Sequence, residues 1–267
     1  MNELTSGAER RPPEWLIAAP YQDTDLGVLR TGKEAQINLI ERTSTTDHVS
    51  RHHAAGRSSI LLAEKRYMPR NVKNKGELEA MGVQKASAFR NDAAYREGRQ
   101  FRKTRDRRAV ERMSAHGKRL MQARWTSHEH EVMEILWYKG LRCPYPVGYS
   151  EDVFLMEYVG DRNGAAPHLA RARLDAEQLR SAYDQLVEGL FIMTSAGWVH
   201  GDLSAFNLLW WLDELWFIDL PQAMEIAANP QGLNFVHRDV LNVCAWFSQR
   251  GLDVDGEALF AELLVVV

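Results

Sequence analysis

Val199-His200-Gly201-Asp202-Leu203-Ser204-Ala205-Phe206-Asn207-Leu208-Leu209, followed by Phe217-Ile218-Asp219, is the stretch whose reading decides this chain. It has the form H-x-D-x-x-x-x-N, then an apolar strand that ends in Asp. Phosphoryl transfer explains the arrangement. One Asp accepts or orients the proton of the attacking hydroxyl, and an Asn five residues on returns along the same tight loop to a magnesium ion. A second Asp, at the end of the next strand, ligates magnesium that bridges the phosphates. Magnesium takes hard oxygen ligands, which Asn and Asp supply. Asp202 is therefore the candidate catalytic residue, and Asn207 and Asp219 are the candidate metal ligands. A surface loop with coincidental polar residues would lack the full spacing, the flanking strand and the long helix before it.

Outward from this stretch, periodicity supplies the elements. A helix over about Ala176–Ala196 puts Leu179, Ala182, Tyr183, Leu186, Val187 and Leu190 on one face and stops at Gly197. Another, near Phe235–Phe247, carries Val236, Val240, Val243 and Phe247 at helical spacing. Toward the N-terminus the chain reads as strands, roughly Gly27–Arg30, Ala35–Ile40 and Ser58–Ala63, with turn chemistry at Thr31-Gly32. Val132, Ile135 and Leu136 predict a helix from Ser127 that Gly140 closes. Cys143-Pro144-Tyr145-Pro146 is an extended link, followed by short strands near Val147–Tyr149 and Val153–Tyr158. A strand-rich half thus precedes a helix-rich half, with the boundary near Glu157.

Ile60-Leu61-Leu62-Ala63-Glu64-Lys65 closes a strand in the form A-x-K, the arrangement in which a lysine holds the α- and β-phosphates of a nucleotide. A lysine that ends a strand is usually just solvated; its order ahead of the Asp202 loop gives Lys65 weight. It needs an acidic partner on the next helix. Ser127-His128-Glu129-His130-Glu131 opens that helix, and Glu129 and Glu131 flank the apolar face on opposite sides, so periodicity does not choose between them. His128 and His130, two positions apart, point apart on a helix, which speaks against a metal site there.

Composition sets the frame. The 267 residues are 45% hydrophobic and 26% charged, ordinary for a globular protein. The two cysteines, Cys143 and Cys244, are far apart and fit no metal-ligand spacing, which points to a reducing compartment. Met1-Asn2-Glu3-Leu4 lacks the regions of a signal peptide, and the longest aliphatic run, Leu263 to Val267, is far too short for a bilayer. A cytoplasmic location without membrane contact is expected. The net charge of -3 hides an asymmetry: Lys65 through Arg124 holds 18 Lys+Arg against 6 Asp+Glu, and the remainder 15 against 30. Two readings stand for this basic insert. It can steer an anionic partner, RNA or a ribonucleoprotein, or it can be a solvated, partly disordered segment. No nucleic-acid motif with interleaved aromatic residues or glycines accompanies it, which favours the second.

Four further segments carry a resemblance to the RIO family of atypical serine/threonine protein kinases, and within it to the first RIO subfamily, over roughly residues 25 to 250. Thr31-Gly32-Lys33-Glu34-Ala35 resembles the family's S-T-G-K-E-A loop over the phosphates. Phe154-Leu155-Met156-Glu157-Tyr158-Val159-Gly160 resembles its hinge, Gly164-Ala165-Ala166-Pro167-His168-Leu169 its G-x-x-A-P-x-L, and Ile218-Asp219-Leu220-Pro221-Gln222-Ala223 its metal-binding I-D-x-x-Q-A. The resemblance implies an ATP- and magnesium-dependent enzyme, with manganese as a substitute ion, that phosphorylates a protein or itself or hydrolyses ATP. It implies nucleotide contacts at Thr31, Gly32, Lys33, Glu34, Lys65 and Pro167, adenine bound by the Glu157 carbonyl and the Val159 amide, Met156 behind the base, and Leu209 and Ile218 as its floor. Leu209 and Ile218 serve equally as plain core residues. By matching Glu129-His130-Glu131 to the family's E-K-E helix start, it favours Glu131 as the partner of Lys65.

The fold it implies is α+β: a two-lobed, protein-kinase-like fold with a β-rich N-lobe and a reduced α-rich C-lobe that lacks the usual activation segment and peptide-binding helices. No A-P-E motif follows Asp219, and 48 residues remain after it. The expected division is a polar tail over 1–20, an N-lobe over 21–156 with the basic flexible insert 66–124 and a helix over 127–138, and a C-lobe over 157–267. Arg30, Gly201 and Pro221 depart from the family pattern, which usually has Ser, often Ala and a polar or small residue there; none removes a catalytic group. Two rival readings share the motif. One is a small-molecule phosphotransferase of the aminoglycoside type, whose usual His-Pro after the catalytic Asp-Leu is Ser204-Ala205 here. The other is a nucleotide-gated assembly factor whose insert binds RNA.

Overall fold

Ser59-Ile60-Leu61-Leu62-Ala63-Glu64-Lys65-Arg66-Tyr67 is the third strand, β3, of the sheet that organises the first half, and its side-chain alternation decides where Lys65 goes. Ala63, Lys65 and Tyr67 are buried on one face while Glu64 and Arg66 turn away. The computed structural model describes residues 21–32, 35–44, 59–67, 108 and 114–267. The sheet is antiparallel, with β1 (Tyr21–Thr31), β2 (Ala35–Ser44), β3 (Ser59–Tyr67), β4 (Pro146–Tyr149) and β5 (Val153–Glu157) in the order β1-β2-β3-β5-β4. β1 is exposed along its whole length. Its charged residues and two register shifts, at Asp25/Gly27 and Val28/Arg30, suit an edge that must not pair further.

Helix α1 (Ala115–Tyr138) lies against β4 and β5 and buries Val132, Met133, Leu136 and Trp137. It starts at Ala115 rather than Ser127, so the last part of the expected flexible insert is helix. The rest of that insert, 68–107 and 109–113, lies outside the described residues, as does the expected tail 1–20. The early turns of α1 carry little apolar periodicity, and the sequence signal at Ser127 marks only where the helix meets the core.

After β5 the chain crosses to the second half through two short hairpin strands, β6 (Gly160–Asp161) and β7 (Gly164–Ala165). A 3-10 turn at Leu169–Arg171 leads to α2 (Ala176–Ser195). Asp175 caps α2 by accepting the Gln178 amide at 2.9 Å, and Gln178 reaches back to the Asp175 amide at 3.2 Å. Such a capping box contributes about 1 kcal/mol. Strand β8 (Trp198–Val199) leads into the Asp202 loop, and β9 (Leu208–Trp211) and β10 (Glu214–Phe217) form a hairpin after it. β11 (Met224–Glu225) then pairs with β8, and α3 (Gly232–Ser248) and α4 (Gly256–Leu263) complete the chain.

The C-terminal core is the apolar face of α2 and α3 closed over the β9–β10 hairpin, with Leu186, Met193, Leu208, Phe217, Val240 and Phe247 almost wholly buried. Gly189 lets the hairpin approach α2. A Cβ there would come within 2.5 Å of the Phe217 ring. Both cysteines are buried and neither is in a disulfide, and no helix among the described residues is long and apolar enough to cross a membrane.

Candidate active site

Lys65 stands at the centre of the site. Its ammonium lies 2.7 and 3.0 Å from the two carboxylate oxygens of Glu129 and 2.7 Å from Oδ1 of Asp219. Burial works against a charge on Lys65, but the two carboxylates, Glu129 foremost, override it and hold its pKa well above the ordinary value. Tyr67, two residues on along the same face of β3, donates its hydroxyl to Glu129, and its own pKa is pushed far up by burial and by that carboxylate. Glu129 is 1% exposed and Glu131 is exposed. The expected Lys65–Glu131 pair is therefore corrected: Glu129 is the partner. The open side of α1 carries Glu131; the side against β3 and β5 carries Glu129, next to the core residues Val132 and Met133.

The Asp202 loop is held from three directions. Val199 pairs with Met224 in the β8–β11 ladder before the loop, and Ile218 donates its amide to the Asn207 carbonyl at 3.1 Å after it. From α3, Asp239 accepts the Gly201 amide at 2.7 Å, while Arg238 donates to the Gly201 carbonyl and to Asp239. His200 lies 3.1 Å from the Ile218 carbonyl. Within the loop, Asn207 donates its side-chain amide to the Asp202 carbonyl at 2.7 Å, and its amide oxygen has no partner among the described residues. Gln222 approaches Asp202 Oδ2 at 3.4 Å. Burial pushes the Asp202 carboxyl up; Asp239 and Asp219 add to this, and His200 and Arg238 oppose it.

Asp219 has a left-handed backbone, φ 65°, just past the end of β10, and its side chain meets Lys65. Desolvation at that spot opposes its ionisation, but the Lys65 ammonium prevails and holds its pKa below the usual value. Its carboxylate is still 47% exposed and open to further partners. Asp219 and the amide oxygen of Asn207 form a hard donor set that fits magnesium shared with phosphates. Among the described residues no three His, Cys, Asp or Glu side chains gather into a metal site by themselves.

The described residues expected on the nucleotide side lie at the end of β1, on β5, between β5 and α2, and at the β9–β10 hairpin. Met156 pairs with Ala63 in the sheet. Tyr158 turns its amide back to the Leu61 carbonyl at 3.3 Å, and strand alternation sends the Glu157 and Val159 backbones the other way. The Val159 carbonyl is taken by the Ala166 amide at 2.9 Å, while its own amide meets no acceptor among the described residues. Pro167 is exposed and accepts the Trp210 amide at 3.0 Å through its carbonyl. Leu209 and Ile218 are half-buried, at the start and just past the end of the β9–β10 hairpin. Thr31 and Gly32 are exposed at the turn after β1, where the Gly32 amide donates to the Ala35 carbonyl at 2.8 Å. Lys33 and Glu34 lie outside the described residues.

Two residues of this geometry escape the sequence reading. Tyr67 shares the face of Lys65 by the period of two, a signal that extending β3 past Ala63 would have exposed. Asp239 is a charged residue set between Val236 and Val240 on the buried face of α3, and such a placement asks for a buried partner.

Comparison with known proteins gives a consistent result. The model of the RIO domain matches residues 79–259. A RIO-type serine/threonine-protein kinase Rio1 of Thermoplasma acidophilum is 30% identical over 135 residues, 51% of this chain and 69% of that protein. The Rio1 kinase of Haloferax volcanii is 35% identical over 136 residues, again 51% of this chain but 46% of its own length. The serine/threonine-protein kinase RIO3 of Homo sapiens is 31% identical over 150 residues, 55% of this chain and 28% of its own length.

Proposed function

The chain belongs to the RIO family of serine/threonine protein kinases, and on that premise we propose that its interlobe cleft transfers the terminal phosphoryl group of ATP to a hydroxyl of a protein, with this chain itself among the acceptors. The observation that carries the reading is the Lys65 ammonium held between Glu129 and Asp219, at 2.7 Å from each. A buried cation fixed by one carboxylate and facing a second is a built receptor for phosphate oxygens and their metal. Lys65 orients the α- and β-phosphates, and Glu129, steadied by Tyr67, keeps it in place. Asp219 and Asn207 hold magnesium, which neutralises charge on the phosphates when bound. Asp202, with its carboxyl raised by burial, takes a hydrogen bond from the acceptor hydroxyl and aligns it. The hinge segment Glu157–Val159 offers a carbonyl and an amide to adenine, with Met156 behind the base and Leu209 and Ile218 beneath it. Residues 21–156 form the nucleotide lobe and 157–267 the lobe of the catalytic loop.

The relatives are protein kinases by name, which favours this reading over a small-molecule phosphotransferase. The excess of Lys and Arg over 65–124 supports a second role for that segment as a contact for RNA or a ribonucleoprotein. Two buried cysteines without a disulfide fit a reducing compartment, and we place the protein in the cytoplasm. The test is incubation with γ-labelled ATP and magnesium. Label on the protein that disappears in Asp202→Ala supports a kinase; label on phosphate alone supports an ATPase at the same site; no label on either removes the proposal.

A further inference from the structure

Arg30 sits on β1 just before the Thr31-Gly32 turn and reaches across the cleft to the other lobe. Its Nη1 lies 2.6 Å from Nε2 of His168. The other nitrogen of that ring, Nδ1, lies 2.6 Å from the carbonyl of Phe206, the residue before Asn207. A carbonyl only accepts, so Nδ1 carries the proton and Nε2 presents a lone pair to the guanidinium. Backbone pairing ties His168 to Leu209 on the cleft floor, and Asp219 acts on the His168 ring through space. The Arg30 guanidinium thus stands, through His168, beside the segment that carries Asn207.

Its partner there is a poor one. A neutral imidazole offers one lone pair and no charge, whereas an arginine fork matches the paired oxygens of a phosphate and binds them with charge-assisted bonds about twice as strong. Among the described residues no carboxylate pairs with Arg30. A cation next to the Asn207 segment whose partner among the described residues is a neutral ring can change partners when an anion arrives.

We propose that Arg30 is a phosphate-binding residue of this chain: a nucleoside triphosphate draws its guanidinium off His168, and the fork then clamps the bound phosphates. The proposal rests on the nucleotide-site reading above and adds a residue and a preference to it. Selectivity for the triphosphate over adenosine then resides partly on β1, at a position where the sequence departs from the family pattern.

Isothermal titration of the full chain with ATP and magnesium, and separately with adenosine, tests it. Arg30→Ala is expected to weaken ATP binding roughly ten- to hundredfold, the worth of hydrogen bonds to a charged group, and to leave adenosine binding within about twofold of the parent. Arg30→Lys, which keeps the charge and loses the fork, is expected to fall between them. Equal weakening of ATP and adenosine overturns the proposal in favour of a structural strut between lobes, and unchanged or tighter ATP binding in Arg30→Ala overturns it in favour of a gate. A parent protein that binds neither ligand fails at the nucleotide-site reading itself, and the Arg30 proposal falls with it. Arg30 is exposed on the edge strand, so its replacement leaves the core intact, and an unchanged melting temperature checks this.

Discussion

The Lys65 ammonium and the Asp219 carboxylate stand 2.7 Å apart, although 154 positions separate them along the chain. The same ammonium serves Glu129, so one cation joins the sheet, α1 and the loop after β10. Lys65→Met and Glu129→Gln should each reduce turnover by orders of magnitude, and the double variant should be barely worse than either, because residues that act as a unit are not additive. Glu131→Gln should stay within about twofold of the parent. Steady-state rates of the four variants and the parent check this; additive losses would mean that Lys65 and Glu129 do not act together.

Asp202 and Asp219 should separate binding from chemistry. Asp202→Ala is expected to keep nucleotide affinity while turnover falls by orders of magnitude, whereas Asp219→Ala loses the magnesium-dependent part of nucleotide binding. Titration with ATP, with and without magnesium, alongside single-turnover rates, distinguishes the two. An Asp202→Ala enzyme with full phosphoryl transfer would move the catalytic role elsewhere.

Gly201→Ala, which brings the sequence closer to the family pattern, should weaken this protein. Gly201 has φ 81°, and a Cβ there would stand 2.6 Å from the Gln222 carbonyl oxygen. The strain of a left-handed residue alone is roughly 1–2 kcal/mol, and the contact adds to it. The expected result is a lower melting temperature together with slower turnover, since Asp202 is the next residue. An unchanged melting temperature would show that the β11 approach yields to a methyl group.

His130 should make stability depend on pH in a definite direction. Its ring packs on Tyr149 and Phe154 at 4.8 and 6.0 Å between centroids. Burial lowers its pKa from 6.5, against the pull of Glu134 and Glu131. The unfolded chain therefore takes up this proton first. The stability is fully present above the unfolded value and is lost as pH falls through it toward the lower folded one. Urea midpoints measured between about pH 7 and 5 should fall, and His130→Gln should flatten part of that slope, with His168, also lowered by burial, leaving a remainder. A slope unchanged by His130→Gln would assign the effect to other groups.

Legibility along the chain follows the kind of signal each segment carries. α2 and α3 were plain because apolar residues recur on one face and a glycine ends α2, and the observed bounds lie within a few residues of the reading. The grouping of Lys65 with Asp219 was legible from motif order alone, because the chemistry that reads a strand lysine and a strand-end aspartate places both at one nucleotide. Glu129 was not: a helix face is defined by what packs on it, and the apolar positions of α1 left both glutamates at the margin. The β9–β10 hairpin turns at Leu212 and Asp213, φ 51° and 60°. Such a turn normally advertises itself with Asn-Gly. Here it is held instead from outside, by Gln178 on the Asp213 carboxylate and Gln185 on its carbonyl, contacts that no local pattern announces. The short helix α4 was missed because eight residues give too few repeats for periodicity to register.

The left-handed backbone at Asp219 bears on how this protein can change over evolutionary time. Few side chains tolerate that conformation, and Asn and Gly are the chief alternatives to Asp. A descendant that abandons catalysis yet keeps its fold has a narrow exit at this position. Asn preserves the turn and removes the charge that meets Lys65, whereas Glu, chemically the nearer relative, strains the backbone and reaches past Lys65. Lineages of this fold that have turned from enzymes into binding proteins should therefore be marked by Asn or Gly at the aligned position far more often than by Glu.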